Sequence, residues 1–157
     1  MIDFMVLGLP RSGTAWVANL LTTDTSLCLH ETLLDSTIEQ LDRVEHTGLF
    51  GIAETSGLFL PECVHHDCKK LIIDRPISEI NESLNDLGLP DMPECAVELL
   101  SGIEGYKITF KELFDFDAMQ SAYKYLLNKD LSKNRHQFLC QMNVQNQYAI
   151  NAVKRMF

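Results

Sequence analysis

The chain has 157 residues, enough for one compact domain over residues 1–157 with a substantial core. An apolar share of 46% and a charged share of 22% are globular values and exclude a disordered chain. The net charge of −9 argues against nucleic acid or a heavily sulfated polymer as the main partner, because both need a broad basic surface.

Asp3 to Gly8 reads as a buried strand, with Phe4 to Leu7 as its apolar run. Thr14 to Thr22 reads as a helix with Trp16, Val17, Leu20 and Leu21 on one face. Ser26 to His30 gives a short second strand. Leu34 to Glu45 gives a helix with Leu34, Ile38 and Leu41 on one face, capped by Asp35 or Ser36. Phe50 to Ala53 is a third strand. The segment Cys63-Val64-His65-His66-Asp67-Cys68 holds zinc-ligand residue types. No second Cys/His cluster completes a site, so the segment reads as a polar loop without metal. Lys70 to Asp74 is a buried strand, and Ser78 to Leu87 a helix with Ile80, Leu84 and Leu87 as its apolar face. Gly88 to Pro93 is a loop by its Gly and two Pro, and Glu94 to Leu100 a short helix. Tyr106 to Phe110 is a fifth strand. Helical patterns follow at Asp117 to Leu127 and Asn134 to Met142, before a basic cluster with Lys154 and Arg155. Alternating strands and helices predict an α/β class, with a mainly parallel sheet of about five strands and helices on both faces.

The most informative stretch is Gly8-Leu9-Pro10-Arg11-Ser12-Gly13-Thr14, between the first strand and the first helix. Such a turn brings backbone N–H groups together, and the helix N-terminus adds partial positive charge, so the turn suits a phosphate. Gly8-x4-Gly13 matches the first part of a nucleotide P-loop and makes the expected fold a three-layer P-loop fold. The Lys that follows the second Gly in a P-loop is replaced by Thr14, and the basic residue is Arg11, inside the loop. That displacement argues against an ordinary ATPase and toward a different phosphate-bearing donor. The plain alternative is a glycine-containing strand–helix turn.

Pro10-Arg11-Ser12-Gly13-Thr14-Ala15-Trp16 resembles the 5′-phosphosulfate loop of the sulfotransferases, which use 3′-phosphoadenosine 5′-phosphosulfate (PAPS) as donor and release 3′-phosphoadenosine 5′-phosphate (PAP). Their loop has Lys or Arg, then Ser-Gly-Thr, often a second Thr and often Trp. Ala15 replaces the second Thr and leaves only backbone donors there. The resemblance implies donor binding by Pro10, Arg11, Ser12, Gly13, Thr14, Ala15 and Trp16, with Arg11 also acting at the transferred group. The family also carries an Arg at a strand end and a Ser eight residues on, both holding the donor's 3′-phosphate. Arg75 and Ser83 reproduce that spacing, with Glu79 and Ile80 between them. Pro76 follows Arg75 directly, where the family has one residue between. The alternative is an Arg in a surface ion pair and a Ser on a solvated helix face.

Leu29-His30-Glu31 ends the second strand. Sulfuryl transfer to an alcohol needs a base near the acceptor hydroxyl. Sulfotransferase branches use a Glu at about this place, or a His, so Glu31 is the expected base and His30 the reserve. The alternative for Glu31 is a capping or solvated carboxylate. Ile108 to Phe114, with Leu126-Leu127 later, is similar to a family pattern of strand, aromatic, two polar residues and Leu. Ser56 stands where relatives place a Lys or Ser, and the Lys is absent. The C-terminal Gly-rich donor motif is absent too; Arg135, Lys154 and Arg155 either replace it or are solvated.

The resemblance implies a sulfotransferase acting on a hydroxyl or amine of a small-molecule or saccharide acceptor, with no metal required. Asp74, after four apolar residues, supports another reading: a Walker B carboxylate in a kinase or NTPase using Mg·ATP. A third is a catalytically inactive nucleotide-binding module. Most family members are longer, so a second subunit in a homo-oligomer would complete the cover over the donor. No run is apolar enough to cross a bilayer, and the N-terminus lacks a signal-peptide pattern, so no membrane partner and a cytoplasmic location are expected. Five cysteines, an odd number, point to reduced thiols.

Overall fold

The computed structural model describes residues 1–142; the basic cluster expected at Lys154 and Arg155 lies outside the described residues. In chain order the elements are β1 (Phe4–Gly8), α1 (Thr14–Leu21), β2 (Ser26–His30), α2 (Ile38–Asp42), β3 (Leu49–Glu54), α3 (Pro61–Val64), β4 (Lys69–Asp74), α4 (Ile77–Asn85), α5 (Cys95–Ser101), β5 (Tyr106–Thr109), α6 (Phe116–Leu127) and α7 (Lys133–Cys140). The five strands form one sheet in the order β2-β3-β1-β4-β5. Every pair is parallel, with Phe4 opposite Gly51 on one side of β1 and opposite Lys69 on the other.

The sheet is covered on both faces, which is why its central strands read as continuous apolar runs. Phe4 and Val6 point to one face and pack with Val17, Leu20 and Leu21 of α1 and Met119 and Leu126 of α6. Met5 and Leu7 point to the other and pack with Ile38, Leu41, Ile80, Leu84 and Leu100 of α2, α4 and α5. The architecture is therefore a three-layer α/β fold. Among the described residues no helix is long and apolar enough to cross a membrane.

Three expectations need correction. The helix expected over Leu34 to Glu45 is a 3-10 turn at Thr32–Leu34 followed by the short α2. Leu34 is exposed, and neither Asp35 nor Ser36 caps the helix. Thr37 does: its hydroxyl accepts the Gln40 N–H (3.3 Å), while Gln40 Oε1 accepts the Thr37 N–H (2.8 Å). That reciprocal pair starts the helix four residues late. Second, the stretch read as a polar loop from Cys63 begins inside α3, nucleated by Pro61 in its first turn, with Cys63 fully buried. His66 pairs with Asp42 instead (3.0 Å). Third, Arg135 is half-buried and tied to the backbone rather than free in solvent. Its Nε donates to Leu20 O (3.2 Å) and its Nη2 to Asn19 O (2.6 Å), closing the C-terminal end of α1. All five cysteines are free thiols.

Gly51 is required by packing. A Cβ there would overlap the ring of Phe4, its register partner, which is itself fully buried. Gly51→Ala is expected to lower unfolding stability by about 1–3 kcal/mol, the usual cost of overpacking a core. Urea denaturation measures it, and an unchanged midpoint would refute this account of the β1–β3 contact.

Candidate functional site

The chain leaves β1 for β2 and β3 on one side of the sheet and later builds β4 and β5 on the other. That reversal makes the carboxyl end of β1 a topological switch point, where open α/β sheets leave a crevice. The loop Leu9–Gly13 sits there. Arg11 (φ 68°) and Gly13 (φ 91°) are both left-handed. Gly13 has a second constraint: a Cβ on it would lie 2.6 Å from Leu113 Cδ1. Ser12 is fully buried and turns inward, its N–H (3.1 Å) and its hydroxyl both donating to Leu9 O. Ser12 therefore shapes the loop and offers no donor outward.

The first intrahelical bond of α1 runs from the Val17 N–H to Gly13 O (3.0 Å). The amides of Gly13, Thr14, Ala15 and Trp16 precede it and remain for an anion. No acidic residue stands in the first turn and no side chain caps it, so the positive end of the helix is uncompensated. The Trp16 side chain takes no part. Its indole N–H donates to Leu139 O (3.0 Å), and its ring packs on Phe114 and His136 in the core.

On the β4 side, residues far apart in sequence meet. Arg11 Nε donates to Ser83 Oγ (2.9 Å). Arg75 Nη1 donates to the carbonyl of Arg11, and Arg75 Nε to Glu79 (3.3 Å). The Arg75 guanidinium lies 4.1 Å from the Phe110 ring centre, a cation–π stack. Lys111 shares Glu79 (3.7 Å). Arg75 and Lys111 thus share one carboxylate, with Arg11 beside Arg75. Burial, then the neighbouring Arg75 charge, lowers the Arg11 pKa from its ordinary value. Such a like-charge pair beside free amides favours a bound anion.

On the β2 side stand the two candidate bases. His30 Nε2 is 3.1 Å from Thr14 Oγ1 and 3.6 Å from Glu31 Oε1. Burial pulls the His30 pKa down to about 4, so the ring is neutral at pH 7. Glu31 has φ 55°, and its Oε1 accepts the Thr55 N–H (3.1 Å). Burial raises the Glu31 pKa, and the Thr55 bonds lower it in part. Ser56 is half-buried, next to Thr55. Asp74 lines a cleft with Ile72, Val97 and Leu100, which pack on the sheet face opposite the core residues of α1.

One residue of the site is not singled out by the sequence pattern. Glu54 ends β3 and is fully buried. The available signal is an acid directly after the apolar run Phe50–Ala53, a position that reads as lying beyond the strand. Its Oε1 accepts the Thr32 N–H and hydroxyl (2.7 Å each) and the Leu33 N–H (3.2 Å). Its Oε2 is buried with no partner among the described residues. Burial first, with the Glu31 charge adding, pushes its pKa up to about 7.

That shift sets a pH dependence. Between the ordinary carboxylate value of 4.5 and about 7, folded Glu54 keeps a proton that the unfolded chain releases. The folded state binds more protons there, so this group's contribution to stability falls as pH rises. His30, neutral above about 4 when folded, acts in the opposite direction up to 6.5. Comparing wild type with Glu54→Gln isolates the first effect. The variant is expected to match wild type near pH 5 and to exceed it at pH 8 by on the order of 3 kcal/mol. Denaturation midpoints at both pH values measure it; a gap that does not change with pH would refute it.

No protein-family model, no curated protein and no solved structure matches the chain.

Proposed function

We propose that the protein is a PAPS-dependent sulfotransferase acting on a hydroxyl or amine of a small-molecule or saccharide acceptor. The observation that carries this reading is the joining of the loop to the Arg75 side. Arg11 lies in the loop, yet its guanidinium bonds Ser83 and its carbonyl bonds Arg75. A donor with phosphates at both the 5′ and 3′ positions needs two adjoining anion subsites, and the meeting of Arg11, Arg75 and Ser83 beside the start of α1 supports that reading. The amides of Gly13 to Trp16 and the Arg11 guanidinium would hold the 5′-phosphosulfate. Arg75 and Ser83 would hold the 3′-phosphate.

Glu31 would take the acceptor's proton while the acceptor oxygen or nitrogen bonds to sulfur. The bond from sulfur to the phosphate oxygen breaks, and PAP leaves with that electron pair. Arg11 and the helix amides would stabilise the negative charge developing on the leaving phosphate. His30, neutral and bonded to Thr14, orders the floor between base and loop. The pull of burial on Glu31 supports its role, because a raised pKa makes a carboxylate a better proton acceptor. Asp74 lines a cleft with Ile72, Val97 and Leu100, which pack on the sheet face opposite α1, and this placement speaks against Mg·ATP chemistry at this loop.

Calorimetric titration with PAP, ADP and Mg·ATP tests the reading. PAP is expected to bind at least about tenfold more tightly than ADP, the worth of one charge-assisted contact. Preference for Mg·ATP would turn the assignment to a kinase or NTPase. No binding of any of the three would refute a nucleotide site.

A further inference from the structure

Glu31 is the expected base, yet its backbone is left-handed, a conformation that residues other than glycine, Asn and Asp rarely adopt. Something must hold it there. The strap from Glu31 to Leu34 is tied to the end of β3 at three places. The Glu31 N–H donates to Ala53 O (3.0 Å), and the Thr55 N–H donates to Glu31 Oε1 (3.1 Å). Between them, Glu54 Oε1 collects three donors from Thr32 and Leu33. Glu54 is thus the centre of the tie, and it is the one member that reaches the strap by its side chain from within the core.

A simple turn cap does not explain it. Exposed Ser, Asp or Asn caps a turn without burying a carboxyl group. Here the carboxyl is fully buried, with Cβ beside Gly57 and one oxygen without a partner among the described residues. Burial of a carboxyl group is costly unless every oxygen is hydrogen-bonded, so all the compensation here comes from the three bonds to Oε1. What these bonds determine is the path of the strap, and hence where the Glu31 carboxylate stands relative to His30.

We infer that Glu54 is the positioning residue of this site, locking the Thr32–Leu33 strap so that Glu31 is held beside His30 and the loop. The inference rests on the reading of Glu31 as base, but its test does not need turnover. Glu54→Gln keeps an acceptor of the same shape, and Glu54→Val removes it. Amide exchange and the carboxyl ¹³C titration of Glu31 are the readouts. In Glu54→Val, exchange at Thr32, Leu33 and Thr55 is expected to quicken about tenfold or more while Val6 and Ile72 stay protected. The Glu31 titration should move down toward that of an ordinary carboxylate. Glu54→Gln should restore the protection to within about threefold of wild type.

Unchanged protection of the strap in Glu54→Val would overturn the inference. If that variant does not fold, Thr32→Val removes one of the three bonds and leaves Glu54 in place. It should quicken exchange at Leu33 and Thr55 to a lesser degree, and no change there would overturn the inference equally. PAP titration of wild type and Glu54→Gln runs beside these. Absence of PAP binding in both refutes the sulfotransferase reading, while the exchange rates still decide whether Glu54 holds the strap.

Discussion

Glu31→Gln is expected to slow sulfuryl transfer by roughly 10²–10⁴-fold, the usual contribution of a general base, with PAP affinity close to that of wild type. The substitution keeps size and the acceptor for the Thr55 N–H, and it removes only the ability to take a proton. Initial rates with PAPS, alongside PAP titration, separate the two effects. His30 is the internal comparison. Its ring is neutral above about pH 4 and lies 3.6 Å from Glu31, next to the carboxylate but beyond hydrogen-bond distance. His30→Asn should cost less than Glu31→Gln, because it disturbs the base without deleting it. A larger loss for His30→Asn would transfer the role to the imidazole. A Glu31→Gln protein that transfers sulfate at the normal rate would remove Glu31 from the chemistry.

How far the site is legible in the sequence depends on the range of the interaction. β1, β4 and α1 are local patterns: an apolar run or a helical stripe carries its own signal, and all three stand within a few residues of their expected bounds. The all-parallel sheet follows from strand–helix alternation. The region from Thr32 to Asp42 departs from expectation because two local signals compete. Leu34, Ile38 and Leu41 fit one helical face, but the Thr37–Gln40 box sets the start of the helix after Leu34. Capping chemistry outweighs periodicity. The role of Arg135 is hidden because its acceptors, the last carbonyls of α1, lie more than 110 residues away. Glu54 is hidden for the same reason: its donors sit on a strap 21 and 22 residues earlier, across the sheet edge. The Arg75–Ser83 spacing is legible, but the bond joining Ser83 to Arg11 is not, because it spans 72 residues.

That bond makes the second large prediction sharper. Arg75→Ala is expected to weaken PAP binding by roughly 10–100-fold, the loss of a charge-assisted contact, and to leave ADP within about threefold. ADP lacks the 3′-phosphate, so it reports only on the loop. The distinction matters because Arg75 also bonds the carbonyl of Arg11, which stands left-handed at φ 68°. Were loop support its main role, removing it would relax Arg11 and weaken both nucleotides alike. Arg75→Lys separates the roles from the other side. Lys keeps the charge but loses the planar fork and much of the stacking on Phe110, so it should recover part of the PAP affinity and little of the loop geometry. Equal losses of PAP and ADP in the Ala variant, unrelieved by Lys, would make Arg75 a brace for the loop. The 3′-phosphate subsite would then have to rest on Ser83 without Arg75.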